Sequence, residues 1–283
     1  MNLDLGSRIE RIERIESSGI DSLDGAFEWD VPEGWMQGRG AWGGLVVAAE
    51  VRAIEQCQAE RDPSRRIRNM SAHLFGALPV GRARLSVECL REGSAMTTWQ
   101  VRIHGVDGAL ASQAVVITGS ARPVEPGARW GIAQPPELPA WADVATVPVE
   151  PPYGPAFGAH FEFRPVVGIP GSSSDPQCLG WIGPAADESW DRWSAATLLG
   201  IVDAWWPASY VSVASLADVR PMATVSFAAH LLVDPATVDP HAPLALESWV
   251  ADAEDGFTTE TRRLWTPDGH LAVENHQAIV LIK

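Results

Sequence analysis

The feature that most constrains the fold is a succession of local patterns that occurs twice along the 283-residue chain. In each half, a helical pattern precedes four short runs with strand periodicity. Residues 123–155 separate the halves and hold nine of the 22 prolines, which suits an extended connection and not a central strand or helix. We therefore predict an N-terminal unit over residues 1–122, a linker over 123–155 and a C-terminal unit over 156–283.

The first half predicts one strand, one helix and then four more strands. Residues 25–31 alternate apolar and polar side chains as a strand does, and residues 43–60 form an alanine-rich helical pattern. Glycine or Asp-Gly signals separate the later runs, as expected for an antiparallel sheet. These runs are residues 69–78, 83–92, 96–105 and 109–120.

The second half repeats this order. A helix is predicted over about residues 189 to 206, with Ser189 and acidic residues at its start and Pro207 at its end. The strands predicted around it are residues 160–168, 178–183, 222–233, 243–252, 258–266 and 270–282. A long helix packed on a curved antiparallel sheet, given twice, is an α+β architecture in which each half covers its own sheet face.

Composition excludes several classes of function. A formal net charge of −15 argues against a protein that coats nucleic acid or an anionic membrane. No apolar run approaches the roughly 20 residues of a transmembrane helix, and the charged first residues do not resemble a secretory signal, so we expect a cytoplasmic protein. Cys57, Cys89 and Cys178 are isolated, which predicts buried thiols and neither a disulfide framework nor a cysteine metal site.

Two amides lie on the apolar face of the last predicted strand. Leu271, Val273 and Ile279 alternate onto one face, and Asn275 and Gln277 fall on that same face. An unpaired buried amide costs roughly 1–3 kcal/mol, so these amides need hydrogen-bond partners. A satisfied core amide is the simpler interpretation of Gln277.

A carboxylate lies on the apolar stripe of the second predicted helix. Asp203 is expected there three residues before the helix ends, where desolvation and the helix dipole both disfavour its charge. Either partners hold it, or it faces a wet pocket, or it is a solvated residue near a helix end. Thr224 begins the next strand and is by itself an ordinary β-former. Together, Asp203, Thr224 and Gln277 could converge on one water, with Asp203 accepting its proton.

Several motifs resemble one family in order and spacing. They are "GRGAWGGLVVAAEVRA", "LREGSAMTTWQVRI", "ATVSF" and "DGHLAVENHQ". The chain thereby resembles the TesB-like (thioesterase II) acyl-CoA thioesterases, which carry two hotdog folds in one chain. The resemblance implies that Asp203, Thr224 and Gln277 orient the water that attacks the thioester. The family's "FHRP" stretch is replaced by "AAHLLVDP", which bears on acyl specificity more than on the reaction.

The resemblance also sets expectations for ligands. It implies an acyl-CoA substrate, no metal and no cofactor beyond the CoA of that substrate, and an oligomer formed through the hotdog sheets. We expect the first helix start, with Trp42, Gly43 and Gly44, to contribute to substrate binding. Arg65 and Arg66 belong to the densest basic run and could meet CoA phosphates, although a solvated loop is the simpler interpretation.

One alternative catalytic residue remains open, and other candidate motifs are excluded by the sequence around them or are absent. Glu50 on the first helix is the rival acid, with a solvated helix residue as its plainer interpretation. "GRGAWG" matches GxGxxG, but antiparallel-looking strands and no βαβ unit follow it, which argues against a dinucleotide site. No HExxH or GxSxG motif occurs. A non-catalytic acyl or acyl-CoA binding protein is the alternative function.

Overall fold

The computed structural model describes residues 9–11, 24–122, 131–186 and 192–282. Within these residues the chain forms two α-helices, α1 (Gly43–Arg61) and α2 (Ala195–Ile201). The strands of the first half are β1 (Ile9–Arg11), β2 (Gly25–Val31), β3 (Met36–Gln37), β4 (Gly40–Ala41), β5 (Arg66–Leu74), β6 (Gly81–Glu92), β7 (Met96–His104) and β8 (Leu110–Gly119). Those of the second half are β9 (Phe161–Val167), β10 (Gln177–Pro184), β11 (Met222–Leu231), β12 (Leu244–Glu254), β13 (Phe257–Trp265) and β14 (Leu271–Leu281).

Twelve of these strands form one antiparallel sheet that runs through both halves. Its order is β1-β2-β6-β7-β8-β5-β11-β14-β13-β12-β10-β9, while β3 and β4 pair separately. The pairing of β5 with β11 lies at the centre, and the strands on either side of it follow in the same chain order. The two halves are therefore arranged about an approximate twofold axis between β5 and β11.

Most sequence-based expectations for the elements agree with this structure. The helix predicted over residues 43–60 is α1, and each predicted strand matches an observed strand to within a few residues. α1 is buried along most of its length, including Leu45, Val51 and Ile54, because the sheet lies on one side and α2 on another. An amphipathic stripe is therefore not its main feature.

The prediction of a long second helix was wrong. α2 has seven residues, begins after Ser194 and ends at Ile201; residues 187–191, where the predicted start falls, lie outside the described residues. The Ser194 hydroxyl accepts a hydrogen bond from the Thr197 N–H, so Ser194 caps the observed helix. Asp203 consequently lies in a turn after α2 and not within a helix.

Two buried side chains bond to the turn that follows α2. If α2 continued, the Asp203 carbonyl would face residue 207, but proline has no N–H to donate. The indole Nε1 of Trp42 donates to that carbonyl instead, at 3.3 Å. Arg262 Nη1 donates to the carbonyls of Val202 and Trp205 at 3.3 and 3.1 Å. These bonds satisfy carbonyls of the turn after α2, which favours the turn over a longer helix.

The segment between the halves contains little regular structure. Residues 131–155 include a 3₁₀ turn at Trp141–Asp143 and a bridge between Val147 and Phe163. Residues 123–130 of the predicted linker lie outside the described residues. The boundaries 1–122, 123–155 and 156–283 stay a prediction. In the part of the chain that is described, no helix is long and apolar enough to cross a lipid bilayer.

The two helices meet closely at Gly44. A Cβ at that position would lie 2.4 Å from the Gly200 carbonyl oxygen and 2.2 Å from the Trp42 ring. Neither neighbour is free to move, because one is helix backbone and the other is fully buried. Gly44 is therefore required by close packing between the halves.

We predict that Gly44→Ala destabilises the protein by about 1–3 kcal/mol, the usual cost of overpacking a buried contact. Denaturant unfolding measures the change. Gly76→Ala is the matched control, because a Cβ there meets nothing within 4 Å. Equal stability of the two variants would contradict the close contact between α1 and α2.

Candidate active site

A chain of hydrogen bonds joins the three residues that the sequence singled out. The Thr224 hydroxyl donates to Gln277 Oε1 at 2.8 Å, and Gln277 Nε2 donates to Asp203 Oδ1 at 2.9 Å. Gln277 Nε2 also donates to Asn275 Oδ1 at 2.9 Å, and Asn275 Nδ2 donates to the Ala228 carbonyl. The amides of the last strand thus have the partners that burial demands, and Gln277 connects a carboxylate to a hydroxyl.

Asp203 faces the N-terminus of the helix from the other half. Its carboxylate accepts a hydrogen bond from the Gly44 N–H, and a Cβ on Gly43 would lie 2.9 Å from Oδ2. The N-cap residue Trp42 makes no side-chain capping hydrogen bond, and the Asp203 carboxylate supplies an acceptor at the start of α1. The positive end of the helix dipole also favours a carboxylate there. Asp203 is 9% exposed.

A β-bulge turns Thr224 toward this carboxylate. β11 pairs Phe227 with Gln277 and Thr224 with Ile279, and the register shifts between Thr224 and Ser226. In an unbroken strand, residues three apart face opposite sides. The extra residue brings Thr224 and Phe227 onto the same inner side, as bulges often do near functional sites. Thr224 is partly exposed, whereas Gln277 is buried.

Two charged residues on β13 lie behind Asp203, and sequence reasoning missed both. Arg262 Nη1 lies 3.7 Å from Asp203 Oδ1, and Arg262 Nε donates to Glu260 Oε1 at 2.7 Å. Glu260 Oε2 accepts from the Ala208 N–H at 2.9 Å. Both side chains are buried. The sequence did contain a signal for them. Glu260 and Arg262 are two residues apart on β13, so both charged side chains fall on the face turned toward the core.

Burial and neighbours act in opposite directions on the Asp203 carboxyl. Burial raises its pKa above the ordinary value, while Arg262, the Gln277 amide, the Gly44 N–H and Trp42 oppose that rise. Burial likewise raises the pKa of Glu260, against Arg262 and the Ala208 N–H. A base whose pKa is raised toward the working pH is better suited to accept a proton.

The first half carries apolar residues at the equivalent positions. β5 has the same bulge, and the register places Ile67 where β11 has Thr224 and Val116 where β14 has Gln277. Trp99 and Val101 of β7 correspond to Glu260 and Arg262 of β13 by the same pairing. These four first-half residues are buried hydrophobics. The polar site therefore belongs to the second half alone.

Glu50 lies at a different place in the first half. It is fully buried on α1, where Oε1 accepts a hydrogen bond from the Ser112 hydroxyl at 2.8 Å and Oε2 has no hydrogen-bond partner among the described residues. Ser112 lies four residues along β8 from Val116, so Glu50 does not occupy the counterpart of the Asp203 site. Burial raises the pKa of Glu50 to about 8, against a smaller lowering by Ser112.

The predicted substrate-binding residues fall into two groups. Trp42 and Gly44 are buried against the Asp203 turn, whereas Gly43 beside them is partly exposed. Arg65 is mostly buried and binds Asp62 and Thr97, and Arg66 pairs with Asp234.

The structure does not bring the two arginines to Asp203. Both arginines lie at or before the start of β5. Because β5 and β11 are antiparallel, the start of β11, which carries Thr224, lies beside the other end of β5. Within the described residues, no group of three or more His, Cys, Asp or Glu side chains is arranged to hold a metal ion.

A surface cavity of about 320 Å³ opens beside β11 and β13, and Asp203, Thr224 and Gln277 are not among the residues that line it. Met222, two residues before Thr224 on β11, and Thr258 on β13 belong to its wall. Tyr210, Val213 and Phe257 supply much of the remaining apolar lining, and Arg220 lies at its side. Its size is at the lower end of the range for small-molecule pockets.

Solved structures share this architecture at low sequence identity. A conserved protein of unknown function with a hotdog fold from Alicyclobacillus acidocaldarius is 20% identical, with 94% of this chain and 99% of that chain covered and a TM-score of 0.77. A protein provisionally named thioesterase II from Thermobifida fusca is 21% identical, with 99% and 97% covered and a TM-score of 0.74. The acyl-CoA thioesterase II TesB2 from Mycobacterium marinum is 15% identical, with 91% and 93% covered and a TM-score of 0.66. These likenesses show a hotdog fold.

Two family models match most of the sequence. The model of the acyl-CoA thioesterase N-terminal domain matches residues 31–122, and that of the C-terminal domain matches residues 133–281. No curated protein matches the chain closely enough to be counted. The resemblance to TesB-like acyl-CoA thioesterases is confirmed, and the chain belongs to the acyl-CoA thioesterase family.

Proposed function

We propose that this protein hydrolyses the thioester of an acyl-CoA to free CoA and a carboxylic acid. The observation that carries the proposal is the bonded series Thr224–Gln277–Asp203, which ends at the N-terminus of α1. A hydroxyl, an amide and a carboxylate with a raised pKa are the groups needed to orient a water and accept its proton. Family membership supports the substrate class.

In the proposed reaction, Asp203 acts as the general base. The water donates one hydrogen bond to the Asp203 carboxylate and one to the Thr224 hydroxyl oxygen, and that hydroxyl itself donates a hydrogen bond to Gln277. The water oxygen attacks the thioester carbon as Asp203 takes the proton. The tetrahedral intermediate then expels the CoA thiolate, and Asp203 returns the proton to that sulfur. No covalent enzyme intermediate is formed.

Gln277 acts by holding the two groups that contact the water. Both hydrogens of its amide nitrogen are already donated, one to Asp203 and one to Asn275. Its carbonyl oxygen fixes the direction of the Thr224 hydroxyl. Replacing the amide with an apolar side chain would free Asp203 and Thr224 to rotate and would leave Asn275 short of a partner.

The substrate reaches the site from the side of the cavity next to Thr224. Met222 and Phe257 would contact an acyl or pantetheine segment, and the partly exposed Gly43 lies beside the carboxylate at a helix N-terminus. Unpaired N–H groups and the dipole at such an end favour the negative charge that develops on the thioester oxygen. Trp42 and Gly44 would support Asp203 from behind.

The proposed architecture is two hotdog folds in one chain, joined by the proline-rich linker. The mirrored strand order on either side of the β5–β11 pair supports this division. One fold would carry the reaction, and the other would supply the start of α1 that faces it. The apolar residues Ile67 and Val116 support a single working site.

We predict that Asp203→Asn lowers kcat/KM by about 10²–10⁴-fold, the usual contribution of a general base. Release of free CoA from acyl-CoAs of short, long and aromatic acyl groups measures the effect. Asp143→Asn, an exposed carboxylate in the segment between the halves, is the control and should keep wild-type activity. Acyl-CoA binding without turnover by the wild type would favour the non-catalytic binding protein.

We predict that Thr224→Val lowers kcat by at least about tenfold, because one water contact made in the transition state is lost. Thr224→Ser keeps the hydroxyl and should retain most of the activity. Steady-state kinetics of both variants test this role. A loss of activity in Thr224→Ser, with activity kept in Thr224→Val, would show that the methyl group, and not the hydroxyl, matters at this position.

We predict that Glu50→Gln keeps turnover and changes the pH dependence of stability. The folded-state pKa of Glu50, about 8, exceeds its ordinary value, so the folded protein retains a proton that the unfolded chain releases. Its contribution to stability is therefore lost as the pH rises from about 4.5 toward 8. Denaturant unfolding over this range should show a flatter decline for Glu50→Gln than for wild type.

The partly exposed Glu88 on β6 provides the control for that experiment. Glu88→Gln should leave the decline as steep as in wild type. Loss of CoA release in Glu50→Gln, with Asp203→Asn still active, would move the reaction to the first half.

A further inference from the structure

We propose that Arg262 and Glu260 form an opposed pair that sets the position and the charge of the Asp203 carboxylate. The proposal rests on the proposed function, since it gives Asp203 the part of the base. It concerns two residues that contact neither the water nor the substrate, so both are positioning residues. Each is expected to act on Asp203 in the opposite sense to the other.

Arg262 controls the position of Asp203 through the backbone. Its Nη1 donates to the carbonyls of Val202 and Trp205, one residue before and two residues after Asp203. The same nitrogen lies 3.7 Å from Asp203 Oδ1, beyond an ordinary hydrogen bond but close enough for a strong charge interaction. Arg262 therefore fixes the turn and attracts negative charge to the carboxylate that the turn carries.

Glu260 limits that attraction. Its Oε1 accepts from Arg262 Nε at 2.7 Å, a shorter contact than Arg262 makes with Asp203. Its Oε2 accepts from the Ala208 N–H, which fixes the carboxylate on the far side of the guanidinium. Glu260 is thus the main counter-ion of Arg262, and it also repels a negative charge on Asp203.

The groups packed around Asp203 leave few other sources of charge. β13 supplies Arg262 and Glu260, β14 supplies the neutral amide of Gln277, and α1 supplies the Gly44 N–H. On β10, Cys178 senses both charges of the pair, and burial raises the pKa of its thiol to about 12, so it is neutral at ordinary pH. Apart from burial, the balance between the charges of Arg262 and Glu260 therefore acts on the charge of Asp203.

The two halves differ at these positions as they do at the site. Trp99 and Val101, both fully buried and apolar, occupy the equivalent places on β7. A charged pair buried only beside Asp203 is costly unless well bonded, and it rarely adds stability over apolar residues. Its presence in one half and not the other supports a role tied to Asp203.

The test compares the pH dependence of kcat/KM in four variants. Asp203 must be ionised to act as base, so activity falls as the pH drops through its folded-state pKa. Arg262→Lys, with its charge on a mobile stem, should shift this acid limb to higher pH, by up to about 1–3 pH units for full loss of the charge interaction. Glu260→Gln should shift it to lower pH. Arg263→Gln is the control, on the same strand but paired with Glu274 on the outer face.

The fourth variant guards against unfolding. Removing the arginine charge alone leaves Glu260 buried without a partner, so the double variant Glu260→Gln with Arg262→Met removes both charges together. It should fold and show an acid limb between those of the two single variants, with a lower kcat because the turn is less well held. Limbs that coincide in wild type, Arg262→Lys, Glu260→Gln and the double variant would overturn the proposal.

A second measurement separates this proposal from the hydrolase itself. Carbon-13 labelling of the aspartate carboxyl groups, with Asp203→Asn identifying the resonance, gives the titration of Asp203 by NMR without any substrate. Opposite displacements of that titration in Arg262→Lys and Glu260→Gln support the proposal even if wild type releases no CoA. If the Asp203 titration in both variants matches that of wild type, and wild type releases CoA, the positioning proposal is overturned while the proposed hydrolysis is retained.

Discussion

The hydrogen bond from the Gln277 amide to the Asp203 carboxylate is the contact on which the site depends. It joins the last strand of the sheet to the turn after α2, two parts of the chain that are 74 residues apart. In that turn, Trp42 from the first half donates to the Asp203 carbonyl, which in a continued helix would face Pro207 and its missing N–H. A single residue, Asp203, is thereby bonded to both halves of the molecule.

The duplication gives the protein two equivalent places and fills them differently. The strand order is repeated, down to a bulge on both central strands. The side chains differ at four equivalent positions. The second half has Thr224, Gln277, Glu260 and Arg262 where the first half has, in the same order, Ile67, Val116, Trp99 and Val101. The first half has buried apolar side chains there, and the burial of their surface contributes to the stability of the fold. The second half gives up part of that burial to hold charged and polar groups.

The sequence predicted the strands, the first helix and the residues that meet at the site, but not how they meet. Alternation along residues 270–282 was enough to place Asn275 and Gln277 on the buried face of β14. The helical pattern around Asp203 misled, because apolar spacing continues through residues 202–206 although tertiary bonds from Arg262 and Trp42 end the helix. The bulge that turns Thr224 inward has no local signal in the sequence. The same is true of the contact between Asp203 and the start of α1, which requires both halves to be assembled.

The central claim is that Asp203 and Thr224 hold the water that attacks the thioester. The most direct measurement is a crystal structure with an acyl-CoA analogue in which a ketone replaces the thioester, since a ketone cannot be hydrolysed. We predict a water within about 3 Å of both Asp203 and Thr224, next to the carbonyl carbon of the analogue. A ketone bound beside Glu50, or one separated from Asp203 by the protein core, would contradict the account.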